Sequence, residues 1–344
     1  MTSASKSKTK SVSKAGPKLT TFAVDATVVI PTYNGEMYIR QILDALANQE
    51  FDGSFEVLVI DSGSSDGTLD IVRSFADVRL YEIPNREFGH GRTRNLAAEL
   101  ALGTHVAYLT HDAIPETPHW LREIIEPMKL DGLGCVAVMG KQVPRPGCFP
   151  LLKYEIEGVF RNFGPDFGTT IFYLDEFVQT QSELDAISFY SDVNSATRKD
   201  FLTKVMPYQD VPYSEDMAFG REIVEQGFRK AYAPRASVIH SNDLTLHEYR
   251  LRIFDEVVGM RRIGHDYPVL RFSRQVAYTG FGALRDSLRI VRDGSFSWRR
   301  KLYWLVVNPW FHVAKWRAYY RATRVDVTDQ AAVATQSLEA HRAK

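Results

Sequence analysis

Residues 28–35 read Val28-Val29-Ile30-Pro31-Thr32-Tyr33-Asn34-Gly35, and residues 59–68 read Val59-Ile60-Asp61-Ser62-Gly63-Ser64-Ser65-Asp66-Gly67-Thr68. Each opens on a β-branched apolar run, the pattern of a buried strand, and closes on residues that end it. Between them, Ile39, Ile42, Leu43 and Leu46 share one face of a helix predicted over 36–49. The alternation continues outward, with strands at 55–60, 78–83 and 105–109 and helices at 69–75 and 93–102. Strands and helices alternating on short connections predict a mostly parallel α/β sheet with helices on both faces. Ligands bind such sheets at the carboxyl ends of the strands, which is where the polar clusters of this chain fall.

Farther along, helices are expected at 121–129, 198–204 and 215–226 and strands at 135–139 and 231–239, while 141–190 is less periodic and dense in Phe, Gly and Pro. Residues 1–22 are rich in Ser, Thr and Lys and cannot bury enough surface to offset their ordering entropy, so they are expected as a disordered tail. The expected division is this tail, an α/β unit over 23–245 and a helical, basic and aromatic region over 246–344.

Composition narrows the function classes. The 344 residues balance 42 Lys+Arg against 42 Asp+Glu, which argues against a dedicated nucleic-acid binder. Two cysteines, Cys135 and Cys148, exclude a disulfide scaffold or a multi-cysteine metal site. No apolar run reaches the roughly 18–20 residues of a spanning helix, and the lysine-rich start lacks the apolar core of a signal peptide. The expectation is a cytoplasmic protein not integral to a membrane.

Three carboxylate clusters follow expected strands. Asp61 opens a turn whose glycines permit φ > 0; the plain alternative is a loop in which Asp66 or Thr68 caps the next helix. Thr110-His111-Asp112 places a carboxylate and an imidazole where a divalent cation beside a diphosphate would sit, or else forms a solvated loop. Ser214-Glu215-Asp216 opens a helix, where the dipole favours acidic residues and also keeps a general base ionised. His240 lies just past the strand at 231–239, as a ligand or a structural histidine. The glycine signatures of dinucleotide folds and P-loops, the G-x-S-x-G elbow and H-E-x-x-H are all missing.

In this order, the two opening stretches followed by Thr93-Arg94-Asn95, Thr110-His111-Asp112 and Ser214-Glu215-Asp216 resemble a family 2 glycosyltransferase over roughly residues 26–264. Phe88-Gly89-His90-Gly91-Arg92, Leu109–Ala113 and Asp192–Arg198 are similar to its bacterial rhamnosyltransferase-like branch. The resemblance implies a GT-A nucleotide-diphospho-sugar transferase fold with a helical C-terminal extension. It further implies an inverting transfer, for that branch typically from dTDP-L-rhamnose, onto a glycan or lipid-linked acceptor. Alternatives are a UDP-sugar donor, or a catalytically silent nucleotide-sugar-binding subunit.

By the same resemblance, Pro31, Thr32, Tyr33 and Glu36 line the nucleoside pocket, Asp61 accepts a hydrogen bond from the base, and Arg94 contacts the nucleotide. Asp112 holds Mg²⁺ or Mn²⁺ with His240, and His111 faces the diphosphate. The usual Asp-x-Asp metal motif is reduced here, with Thr110 in place of its first carboxylate. Asp216 is the expected general base. Glu215 either orients acceptor or base or stabilises the helix start, and Asn194 is assigned to the acceptor side.

Residues 298–324 carry seven Lys/Arg, no acidic residue, and Trp298, Trp304, Trp310 and Trp316. The stretch suits peripheral contact with the anionic inner face of a plasma membrane, or equally packing on the catalytic unit or in a subunit interface. Pro309 is expected to break or kink any continuous helix.

Overall fold

The computed structural model describes residues 24–342 apart from positions 131, 212, 213, 263, 265 and 266; the tail expected at 1–22 lies outside the described residues. The first half runs β1 (Val24–Thr32), α1 (Ile39–Ala47), β2 (Phe55–Asp61), α2 (Thr68–Arg73), β3 (Val78–Glu82), α3 (His90–Leu100) and β4 (Gly103–Leu109). Then come β5 (Ile114–Pro115), α4 (Trp120–Lys129), β6 (Cys135–Val143), α5 (Pro150–Arg161), β7 (Thr170–Phe172) and α6 (Gln181–Ser188). β8 (Asn194–Arg198), α7 (Lys199–Lys204), α8 (Glu215–Glu225) and β9 (Arg229–Ile239) complete the α/β part. Helices follow: α9 (Leu246–Arg262), α10 (Phe272–Arg292), α11 (Trp298–Ala322), α12 (Gln330–Ala334) and α13 (Leu338–Arg342).

The strands form one sheet in the order β3-β2-β1-β4-β8-β6-β9-β5, with β7 beside β9. β1 to β4 pair in parallel, as does β6 with β9, whereas β8 wedges antiparallel between β4 and β6. Both faces are covered, which is why β1 is apolar at consecutive positions. Val28 and Ile30 pack under α1 and α4 with Ile39, Ile42, Leu43, Trp120 and Ile124. Val29 points the other way, toward Ala97, Ala98, Phe219 and Ile223 of α3 and α8.

Because β8 runs against its neighbours, its amino end lies at the same sheet edge as the carboxyl ends of β1, β2, β4 and β9. Leu109 is opposite Asn194, and the Thr110 amide bonds to the Val193 carbonyl at 3.3 Å. That edge gathers Asp61, Asp112, Asp192 and His240.

Three features depart from the sequence reading. β8 is a strand where none was expected. The stretch at 141–190 holds α5, β7 and α6. Helix α11 is continuous through Pro309 and is not broken there. Its neighbours hold it on either side of the missing donor: the Asn308 side chain accepts from the Leu151 amide at 3.1 Å, and Phe311 stacks on Phe149 at 4.2 Å. Phe149 and Leu151 thereby enter the core formed by Tyr249, Phe254, Phe311 and Ala318, joining the C-terminal helices to the α/β part.

Candidate active site

At the ends of β1 and β2 the structure builds one interlocked pair of loops. Asp61 is buried and its carboxylate accepts from the Thr32 hydroxyl at 2.9 Å and from the Gly63 and Ser64 amides at 2.9 and 2.8 Å. Gly63 takes φ +92, the left-handed turn that a side chain would resist. Asn34, also left-handed at φ +50, receives the Ser65 amide on its side chain, and Glu36 receives the Gly67 amide, both at 2.9 Å. Pro31 and Thr32 lie at the end of β1, and Tyr33, just past the strand, is exposed. Gly35 lies against the His111 ring, where an added Cβ would come within 3.2 Å. Gly35 thereby sets His111 beside the loops that hold Glu36 and Asp61, and Tyr33 is the exposed residue among them.

The second group joins the ends of β4 and β9. His240 Nε2 is 3.3 Å from the Asp112 carboxylate, and its Nδ1 is 3.0 Å from Gln142 Oε1. The amide oxygen can only accept, so Nδ1 donates to it and the ring is held with Nε2 facing Asp112. Burial works against ionisation of Asp112, but His240 and His111 outweigh it and hold the carboxyl well below its ordinary range. One carboxylate and one imidazole, with the imidazole oriented from behind, fit a divalent cation that would take its remaining ligands from substrate and water. Among the described residues no group of three or more His, Cys, Asp or Glu converges in this way.

Arg145 secures this corner. Its guanidinium donates to the Asp112 and Ser241 carbonyls, lies 3.7 Å from Asp243, and stacks on the Tyr38 ring at 3.9 Å. One side chain therefore ties the loops after β4 and β9 to the start of α1. The sequence reading passed over it and Gln142, because both fall in the aperiodic stretch and only the sheet brings them to the site.

The third group surrounds the start of α8. Arg94, buried on α3, pairs with Asp192 at 3.0 Å and with Glu215. Asp192 also accepts from the Ser195 hydroxyl at 2.6 Å and the Tyr208 hydroxyl at 2.9 Å. Burial raises the Asp192 pKa in spite of Arg94. Burial also opposes ionisation of Glu215, but Arg94 and then His90 prevail and its pKa is lowered. Asp216 keeps part of its surface open and accepts from the Met217 amide at 2.8 Å and the Asp192 amide at 3.3 Å. Burial, reinforced by the Glu215 and Asp192 carboxylates, pushes its pKa up to about 7, the reverse of the lowering expected from the helix start, because the two neighbouring carboxylates and the enclosure outweigh the amides. Ser214, immediately before α8, holds a left-handed φ of +65, an uncommon conformation outside glycine.

Two expectations change. Asn194 is not placed to meet an acceptor. It is fully buried, accepting from Trp120 Nε1 at 2.9 Å and donating to the Lys141 and Ala236 carbonyls at 3.1 and 2.7 Å, so its hydrogen-bonding capacity is used inside the core. Arg94 differs from the expected nucleotide contact, because its guanidinium is enclosed between two carboxylates beneath Asp216.

The glycosyl transferase family 2 model matches residues 27–206. The O-antigen chain rhamnosyltransferases RfbN of Salmonella typhimurium and WbaN of Salmonella anatum are each 28% identical to this chain, over 67% of it and 70% of their own length. Among solved structures, the mannosyltransferase PcManGT from Pyrobaculum calidifontis in complex with GDP-Man and Mn²⁺ superposes with a TM-score of 0.56 at 19% identity, covering 90% of this chain and 88% of that one. With the sheet order, the strand-edge carboxylates and the matched span in agreement, the chain belongs to glycosyl transferase family 2 and has the GT-A fold.

Proposed function

We propose that this glycosyltransferase moves a sugar, L-rhamnose from dTDP-L-rhamnose, onto a hydroxyl of a cell-surface glycan or lipid-linked acceptor, with inversion. The observation that carries the reaction type is Asp216: a partly open carboxylate on a fixed backbone, with a pKa of about 7. A general base works best when its pKa lies near the working pH, and such assistance is worth about 10²–10⁴-fold. Asp216 takes the proton of the acceptor hydroxyl as that oxygen attacks the anomeric carbon from the face opposite the leaving diphosphate. Glu215 and Arg94 are positioning residues that fix the helix start bearing Asp216.

Tyr33 and Glu36, with Pro31 and Thr32 behind them, receive the nucleoside. Asp61, which also holds its own turn, accepts a hydrogen bond from the base, and His111 faces the diphosphate. Asp112 and His240 would hold Mg²⁺ or Mn²⁺. Such an ion supplies Lewis-acid stabilisation of the charge that grows on the departing diphosphate. The PcManGT complex with Mn²⁺ supports that reading, and the two Salmonella O-antigen chain rhamnosyltransferases support a rhamnosyl group and a glycan acceptor. A lipid-linked acceptor would set the enzyme at the inner face of the plasma membrane.

The test is a thermal-shift titration with dTDP, UDP and GDP, with and without Mg²⁺ or Mn²⁺. A ligand at 100 times its dissociation constant stabilises by about 2.7 kcal/mol. A metal-enhanced shift with dTDP alone is the expected result. A preference for UDP would replace the donor and leave the mechanism, whereas no response to any nucleotide would overturn the catalytic reading.

A further inference from the structure

Helix α10 buries only a narrow stripe, Gly282, Asp286 and Ile290, against the rest of the protein. On the opposite side, at 3.6 residues per turn, stand Phe281, Leu284, Leu288 and Val291, all more than half exposed. Helix α11 repeats the arrangement: it buries Asn308, Phe311, Ala314 and Ala318, and turns Trp298, Leu302, Val306 and Trp310 outward at four-residue spacing. Single exposed apolar residues are ordinary, but two neighbouring helices with outward apolar stripes mark an interaction surface.

Charge selects the partner. The only acidic residue in α10 and α11 is Asp286, which is buried and paired with His312 at 2.9 Å. Arg274 and Arg292 on α10 and Arg299 and Arg317 on α11 are exposed. A second copy of the chain on this face would bring arginine against arginine. An anionic lipid surface instead complements the charge, takes the Trp and Phe side chains into its headgroup layer and neutralises the arginines. Among the described residues no helix is long and apolar enough to cross a membrane, so the pair would lie along the surface.

We infer that the outward face of α10 and α11 is an interfacial platform that seats the enzyme on anionic phospholipid. The inference deepens the peripheral placement proposed above and rests on that placement, not on the donor. It moves the contact from the stretch at 298–324 alone to both helices and excludes Trp304 and Trp316 as outward anchors: Trp304 contacts Phe311 at 6.2 Å, and Trp316 packs on Tyr278 at 4.8 Å and Tyr319 at 5.6 Å. The platform is coupled to the site. Arg300 of α11 donates to the Pro146 carbonyl at 2.9 Å, one residue after Arg145. A lipid-linked acceptor would therefore approach from the surface on which the catalytic edge is mounted.

The experiment is co-sedimentation of the full chain with vesicles of phosphatidylcholine alone and with a third of phosphatidylglycerol. Binding should require phosphatidylglycerol and weaken with salt. Arg292→Ala with Arg299→Ala should lower partitioning roughly 30-fold, and Leu284→Ser with Leu288→Ser should abolish it. Both variants should keep the wild-type melting temperature and nucleotide-induced shift, which shows that the fold and the donor site are intact. A wild-type chain that ignores anionic vesicles, or variants that bind like wild type, would overturn the inference. So would self-association that the Leu284/Leu288 variant loses, since the face would then be a contact between copies. The nucleotide shift is read separately, so failure here and failure of the glycosyltransferase reading are distinguishable.

Discussion

Replacing Asp216 by Asn should lower turnover and raise stability, and the two effects should separate with pH. The folded protein holds the Asp216 proton up to about pH 7, whereas the unfolded chain releases it near the ordinary value of 3.8. Because this pKa is raised on folding, wild-type stability falls as pH climbs between those two values and levels off above 7. At about 1.36 kcal/mol per pKa unit, full ionisation costs the folded state about 4 kcal/mol, of which about 2 to 3 kcal/mol accrues between pH 5 and pH 8. Asparagine matches the shape of the neutral acid and has no proton to lose. Its amide must set one NH₂ against the Asp192 or Met217 amide, forfeiting about 1–3 kcal/mol, but that loss is the same at both pH values. The variant-minus-wild-type difference in unfolding free energy should therefore grow by about 2 to 3 kcal/mol from pH 5 to pH 8. Urea denaturation at the two pH values measures it, and single-turnover assays should show a kcat lower by about 10²–10⁴-fold with donor binding retained. A difference that stays flat with pH, or a variant that keeps more than a tenth of wild-type turnover, would refute the assignment.

Three further outcomes follow from the geometry. Arg94→Met strands the Asp192 and Glu215 carboxylates in the interior and should destabilise by about 3–5 kcal/mol in urea titration; a loss under 1 kcal/mol would mean that Arg94 is not their structural partner. Asn194→Ala leaves Trp120 Nε1 and two carbonyls without partners and should cost about 3 kcal/mol or more, with the acceptor KM of the folded enzyme unchanged; a selective rise in that KM would restore Asn194 to the acceptor site. Gln142→Ala frees the His240 ring and should weaken Mn²⁺ about 10–100-fold in a metal titration of the nucleotide-induced thermal shift; unchanged affinity would remove His240 from the metal pair.

The parallel half of the sheet was legible because its signal is local. Val28 to Ile30 are buried whichever face they turn to, and Ile39, Ile42, Leu43 and Leu46 all reach the core on the predicted face of α1. β8 was illegible for the opposite reason: Asn194-Ser195-Ala196-Thr197-Arg198 has almost no apolar content. It is a strand because β4 and β6 supply ladder partners on both sides and Asn194 is saturated by Trp120 and two carbonyls. A polar residue beside the expected catalytic edge looks like a ligand contact in sequence, and only its enclosure reveals a structural one. Pro309 misled in the same way, since local propensity predicts a break that tertiary packing on Asn308 and Phe311 overrides. Arg145 carries no local signature. Its importance arises from three loops, distant in sequence, that the sheet sets around one guanidinium.

The crowding of Asp192, Glu215 and Asp216 around the single guanidinium of Arg94 also bears on which acceptor the enzyme accepts. When Asp216 is ionised and ready to take a proton, those four side chains together carry an excess of negative charge. An incoming uronic acid or other acidic sugar would bring its carboxylate toward that excess, a like-charge contact of the kind that rejects wrong partners. A neutral or amino sugar meets no such barrier. Pairs of acceptors that differ only in a hydroxymethyl or carboxylate at C6 should therefore be separated by the enzyme, with the gap narrowing at high salt and below pH 7, where Asp216 regains its proton.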